Sequence, residues 1–265
     1  MIELPDVERM IDAFAAYATG KTVSEVLIDD PENTDVDRDL CEARVKGHAI
    51  DSIVRHGRYV VVRFRSDVSL IFHMGSEGRI FLESQTTPPE ENSRIRLQFA
   101  AGRELRYSAP NTEGEIHLVE GDDFTGLGTL EKLGLDPLND EFTPERFVEL
   151  ARTKPRSTLK GLLMNEEIVA GIGNEYADEI CFQAGYRPDL KVKDAQDEQL
   201  LRIHKYMKRV LRRATLHWRA AHADPGWLIN RRERGSSCPR CTNALQSIKL
   251  GGQRTYLCPR CQRAA

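Results

Sequence analysis

Apolar residues near the start of the chain recur at Val7, Met10, Ile11, Phe14 and Ala15, a spacing that lines up one face of a helix over residues 5–17. From residue 22 to 119 the pattern changes to short β-type runs, at 22–28, 48–56, 59–64, 69–73, 79–83, 95–99, 104–108 and 115–119. Polar or turn-rich breaks at 29–39, 85–93 and Ala101-Gly102 separate them, which predicts a sandwich or barrel. Residues 120–140, rich in Gly, Asp and Leu, read as a connection. Helical patterns resume over 143–153, where Thr143-Pro144 offers an N-cap followed by proline at the first helical position. They continue over 156–165, 175–184 and 194–220, and a polar, basic stretch at 223–237 leads to a cysteine-bearing tail. The expected fold class is α+β: a leading helix and β-sandwich over 1–120, a linker over 121–142, a helical domain over 143–225 and a small module over 226–265.

At 265 residues the chain can bury a sizeable core and divides into two or three units. No run of 18 apolar residues occurs, so no membrane span is predicted. The start lacks the basic and apolar regions of a signal peptide, and a cytoplasmic protein is expected. The net charge of −3 hides an asymmetry. From Arg202 to Arg263 there are 15 lysines and arginines against two acids, Asp224 and Glu233, a surplus of +13 that leaves −16 on the remainder. An acidic body with a basic end points to nucleic-acid binding. A solvated basic helix is the plainer reading, but the run extends through several elements.

Chemistry is most strongly suggested at Ile168-Val169-Ala170-Gly171-Ile172-Gly173-Asn174-Glu175-Tyr176. Two glycines one residue apart permit a tight turn and close approach to a ligand. Asn174 stands where a helix N-cap belongs, with Glu175, Asp178 and Glu179 behind it. Free N–H groups at a helix start behind a glycine turn can hold an anion such as phosphate. The alternative is a well-capped joint between two helices.

Cys238-Pro-Arg-Cys241 and Cys258-Pro-Arg-Cys261 are two C-x-x-C knuckles with 16 residues between them. Four thiolates so spaced close a tetrahedral zinc site and fit a zinc ribbon. The four sulfurs complete the shell, so the metal is structural. Two disulfides are the competing reading, disfavoured in a chain without a secretion signal. Cys41 and Cys181 lie outside the module and read as ordinary buried thiols. Residues 247–257 form the ribbon hairpin, where Lys249, Gln253 and Arg254 near a Gly251-Gly252 tip can project a cation at a nucleic-acid backbone.

A β-rich first half, this glycine joint and a four-cysteine end together resemble the Fpg/Nei family of DNA glycosylases (formamidopyrimidine-DNA glycosylase and endonuclease VIII). The resemblance spans essentially the whole chain, through Glu3-Leu4-Pro5-Asp6-Val7-Glu8, His73-Met74-Gly75, Leu105-Arg106-Tyr107, residues 133–138 and 160–184, and the ribbon. It implies a helix–two-turns–helix element that, with the zinc hairpin, clamps damaged DNA across a cleft facing the β-sandwich. Asn174 and the amides around Gly173 would hold a phosphate with Lys160 near the same strand, and Arg58, His73 and Arg254 would also meet DNA. Each phosphate contact adds salt-sensitive affinity. Glu3 would be the general acid/base, beside an N-terminal amine that attacks the sugar C1′ to form a Schiff base.

The sequence departs from the family at that nucleophile. Position 2 is Ile2 where the family has proline, and a bulky residue there hinders removal of Met1. With Met1 retained, the Ile2 nitrogen is an amide with a delocalised lone pair, and the terminal amine belongs to Met1, one residue out of register. Glu3 then has a second reading, a structural carboxylate capping the first helix. Arg58 replaces a lysine, keeping phosphate-binding charge without the ability to transfer a proton. Ser76 replaces a void-filling methionine, and residues 109–114 replace an arginine–phenylalanine loop. Such side chains fill the gap left by a flipped nucleotide. In the ribbon, Gln253 occupies the family's arginine position with Arg254 one step later; either a small hairpin shift returns Arg254 to that role or the elimination chemistry is lost.

Three functions compete. The leading one is a divergent DNA glycosylase/AP lyase acting through Glu3 with the Met1 amine, a processed terminus or an activated water. A catalytically silent relative that binds damaged DNA is the second. A transcription-type or RNA-binding role is the third, and it would need neither the glycine joint nor the β-domain. The expected partner is damaged, abasic or unpaired DNA and the expected cofactor a structural Zn2+. A cytoplasmic, nucleoid-associated monomer with no membrane attachment is the expected state.

Overall fold

The computed structural model describes residues 2–34, 36–218, 222 and 224–263. The chain forms two compact units, one built from Ile2 and Asp6–Glu131, the other from Glu3–Pro5 and Lys132 onward.

The first unit contains most of α1 (Leu4–Ala18), then β1 (Val23–Ile28), α2 (Arg38–Val45), β2 (Ile50–His56), β3 (Tyr59–Phe64), β4 (Val68–His73), β5 (Arg79–Ser84), β6 (Ser93–Phe99), β7 (Arg103–Ser108) and β8 (Glu115–Glu120). The strands pair antiparallel in two four-stranded sheets, β1-β6-β7-β5 and β2-β3-β4-β8. Val26, Leu97, Phe99 and Leu105 of one sheet share a core with Val60, Val62, Leu70, Phe72 and Ile116 of the other, joined by Val7, Ile11 and Phe14 of α1. This is the sandwich the alternating runs predict. Helix α2 is a departure, because the break expected at 29–39 leads into it unannounced. It buries only Cys41 and Val45 in eight residues, too little for a readable apolar stripe. Its one local sign is Asp37, whose carboxylate accepts the Leu40 N–H at 2.7 Å.

The second unit carries α3 (Pro144–Arg152), α4 (Leu159–Leu163), α5 (Asn174–Ala184), α6 (Asp197–Leu216) and the hairpin β9 (Gln246–Leu250) and β10 (Gln253–Leu257). Thr143 caps α3, accepting the Arg146 N–H at 3.2 Å, with Pro144 behind it. Helix α4 is shorter than the pattern over 156–165 suggests, because Thr158 caps it late by accepting the Gly161 N–H at 3.0 Å. Leu4 joins Leu162, Ile172, Ile180, Ile203 and Met207 in one core. Phe182 of α5 packs with Leu245 and Tyr256, which seats the ribbon on that helix. Among the described residues, no helix is long and apolar enough to cross a membrane.

Candidate functional site

Glu3 is buried within the second unit. The chain start is anchored there by the Leu4 N–H, which donates to the Gly171 carbonyl at 2.8 Å. Glu3 Oε2 accepts the N–H groups of Gly173 at 2.8 Å and Tyr176 at 3.2 Å, and Oε1 accepts that of Glu175 at 2.8 Å. Gly171 turns the backbone with φ +86°. Gly173 serves a different purpose: a Cβ there would lie 2.5 Å from Glu3 Cδ. Three expectations change. Gly173, not Asn174, is the cap position of α5, and it has no side chain to cap with. The cap comes from Glu3, and these three bonds go to α5 rather than to the first helix. The Gly173 amide expected to meet a phosphate is engaged by that carboxylate. Burial pushes the Glu3 carboxyl up to about 7, outweighing the three N–H donors that pull it down. A carboxyl titrating near neutrality can both give and take a proton.

Asn174 is instead the first helical residue, and its Oδ1 accepts from Lys160 Nζ at 2.6 Å. The same ammonium donates to Asp178 Oδ1 at 2.6 Å and to Thr255 Oγ1 at 2.7 Å. All three of its protons are therefore taken, and Lys160 is 1 % exposed. Lys160, expected near a phosphate, is placed as a pin joining α4, α5 and β10. Asp178 also accepts from Arg232 at 2.6 Å and from the Tyr256 N–H at 2.9 Å. Burial pushes Lys160 below and Asp178 above their ordinary values, and each holds the other charged. Two cations on one carboxylate leave positive charge beneath Asn174. With Oδ1 fixed by Lys160, the amide presents Nδ2 as its donor. Asp178, Thr255 and Arg232 have no sequence signal for this role, because only the fold brings them together.

The four ribbon sulfurs lie within 4.8 Å of one another, with Cys241–Cys258 at 3.5 Å and Cys238–Cys261 at 3.8 Å. Tetrahedral Zn–S bonds place sulfurs about 3.8 Å apart, so the set fits a structural zinc ion. Cys41 and Cys181 are buried thiols apart from it. The hairpin turn is the two residues Gly251 and Gly252, at φ +54° and +82°. Positive φ at both positions is the two-residue geometry that fixes strand register. Thr255 turns toward Lys160, and Gln253 lines a cavity of about 180 Å³ with Lys160, Gly161 and Met164. Arg254 lies between them on the alternate face, exposed and directly opposite Lys249. Gln253 and Arg254 thus fall on opposite faces of the hairpin.

Arg58 and His73 belong to the first unit and are partly buried. Tyr59 and His73 pair across β3 and β4, with rings 4.6 Å apart. Burial, then the Arg58 cation, push His73 below its ordinary value. The replaced void-filling positions are tied to each other, Asn111 Nδ2 donating to Ser76 Oγ at 2.9 Å. Arg94, unflagged by the sequence, is buried and donates to the carbonyls of Asn33, Ala109, Asn111 and Gly114. Glu3, Lys160, Gly173, Asn174, Arg254 and the four cysteines all belong to the second unit. Met1 lies outside the described residues.

Three family models match the chain: the formamidopyrimidine-DNA glycosylase N-terminal domain over residues 1–116, its H2TH domain over 133–220, and the zinc finger found in FPG and IleRS over 235–264. The formamidopyrimidine-DNA glycosylase of Colwellia psychrerythraea is 30% identical over 275 residues, covering 99% of this chain and 100% of the relative. That of Halorhodospira halophila is 30% identical over 272 residues, covering 99% and 100%. Among solved structures, wild-type Lactococcus lactis Fpg in complex with DNA containing N7-benzyl-Fapy-dG superposes with a TM-score of 0.87 at 25% identity, over 98% of this chain and 99% of that one.

Proposed function

Because this chain belongs to the formamidopyrimidine-DNA glycosylase family, we propose that it grips damaged or abasic DNA and releases the damaged base. One observation carries the catalytic part of this reading: Glu3 is buried, held by three amides of the glycine joint, and pushed up to about 7. The proposed nucleophile is the terminal amine, that of Met1 in the sequence as it stands. Neutral amine attacks the sugar C1′ as the C1′–base bond breaks and the base departs with a proton passed from Glu3. The Glu3 carboxylate then takes a proton from the new C1′ ammonium and passes it to O4′ as the C1′–O4′ bond opens, leaving a Schiff base that joins protein to DNA. Asn174 Nδ2, backed by Lys160, is the proposed phosphate donor of α5, and Arg58 and His73 are proposed DNA contacts of the first unit. Zinc holds the ribbon in shape so that Thr255 can meet Lys160. The protein is proposed to act as a monomer on cytoplasmic, nucleoid DNA.

Borohydride trapping on abasic DNA tests the chemistry, with the intact mass of the purified chain showing which residue carries the free amine. A covalent adduct that disappears when the terminus is blocked supports it. Neither an adduct nor base release with bound DNA would overturn the catalytic part.

A further inference from the structure

The glycine joint is braced by a second carboxylate, that of Glu166. Its Oε2 accepts the Gly171 N–H at 2.8 Å, while the Gly171 carbonyl accepts the Leu4 N–H at 2.8 Å. Gly171 is buried and stands at φ +86°. A glycine with no outside restraint samples many other backbone conformations. Here both of its polar groups are held, the N–H by Glu166 and the C=O by the chain start. Glu166 is fixed in turn: its own carbonyl accepts the Gly134 N–H at 2.7 Å, and nearby the Ala170 N–H donates to the Leu135 carbonyl at 3.0 Å. These two segments meet backbone to backbone, since a Cβ on Gly134 would lie 2.6 Å from the Glu167 carbonyl carbon. Every residue in this brace belongs to the second unit, with Glu3 and Leu4.

We propose that Glu166 is a positioning residue for the attack on the sugar: by holding Gly171 it sets the seat of Leu4, and so the placement of Glu3 and of the terminal amine two residues before it. The three amides that hold the Glu3 carboxyl come from Gly173, Glu175 and Tyr176, all beyond Gly171 in the chain. A rotation at Gly171 therefore shifts the Leu4 anchor relative to those amides. The amine and the proton-passing carboxyl then lose register with each other. Misplacing reacting groups by about 1 Å costs on the order of 10²-fold in rate. What the brace requires is an acceptor oxygen at the reach of this side chain, not a negative charge. The role rests on the terminal-amine reading above.

The test is the single-turnover rate of borohydride-trappable adduct on abasic duplex, with the full zinc-loaded chain in saturating excess and well below its unfolding midpoint. Glu166→Ala should slow adduct formation by about 10²-fold while its Kd for the same duplex stays at that of the unsubstituted chain. Glu166→Gln keeps the acceptor oxygen and should keep most of the rate. Glu166→Asp keeps the charge but falls one methylene short, so it should be slow; this pair decides the matter if Glu166→Ala does not fold. An unchanged rate in Glu166→Ala or Glu166→Asp overturns the inference, even with a lowered midpoint, because Glu166 would then serve stability alone. A slow Glu166→Gln also overturns it. If all three variants match an unsubstituted chain that does form adduct, only this inference falls. If the unsubstituted chain binds the duplex and forms none, the terminal-amine reading falls and takes this one with it.

Discussion

The carboxyl group of Glu3 occupies the space that a side chain on Gly173 would need, Glu3 Cδ standing 2.5 Å from where a Cβ would be. These residues are 170 positions apart in the chain, and the Gly173 N–H donates to Glu3 Oε2 at 2.8 Å. The requirement for glycine is therefore steric, since Gly173 itself sits in extended backbone that any residue can adopt. Gly173→Ala should push Glu3 off its amides and cost about 1–3 kcal/mol of stability, as overpacking does. Thermal unfolding and base release should both suffer. Normal stability and normal activity in this variant would show that the carboxyl group has room to move.

Glu3 should set a pH limit on activity. As a proton donor to the leaving base it must be protonated, so base release should fall as pH rises through about 7. In Glu3→Gln that limb should vanish along with most of the rate. Stability follows the same group. Its folded value lies above the unfolded value, so its contribution is fully present below pH 4.5 and is lost as pH rises toward 7. A Glu3→Gln chain whose base-release profile keeps the same falling limb would assign the proton to another group.

Asn174 should separate binding from stability. Asn174→Asp keeps an acceptor for Lys160 Nζ, now charged, at the positive end of α5. The thermal midpoint should hold or rise. The same carboxylate removes the Nδ2 donor and repels phosphate, so affinity for abasic duplex should drop on the order of tenfold or more, one lost charge-assisted contact. Equal affinity for the two proteins, measured at one salt concentration, would remove Asn174 from the interface.

Stripping zinc should reach beyond the ribbon. Without metal the four thiols have no small core to replace it, and β10 loses its hold on α5. Thr255 and the Tyr256 N–H would leave the Lys160–Asp178 pair, and losing a hydrogen bond to a buried charge costs roughly 1.5–3 kcal/mol. Metal analysis should find one zinc per chain, and chelation should lower both the unfolding midpoint and DNA affinity. Unchanged helical-unit stability after chelation would mean the pin does not depend on the ribbon.

What is written in local period and spacing could be read along the chain. Alternating runs specified the strands of the sandwich, the apolar stripe specified α1, Thr143-Pro144 specified the start of α3, and two C-x-x-C knuckles specified four converging sulfurs. The sequence also pointed to Glu3, Asn174 and the glycine joint, though with the wrong partners. It took the folded chain to show that Glu3 caps α5, that Lys160 is sealed against Asp178 and Thr255, and that Arg254 turns away from them. The physical reason is range. A cap or a knuckle is closed within a few residues, so its chemistry is visible in order along the chain. A buried lysine looks the same in sequence as a solvated one, because its surroundings arrive from positions as far away as Thr255.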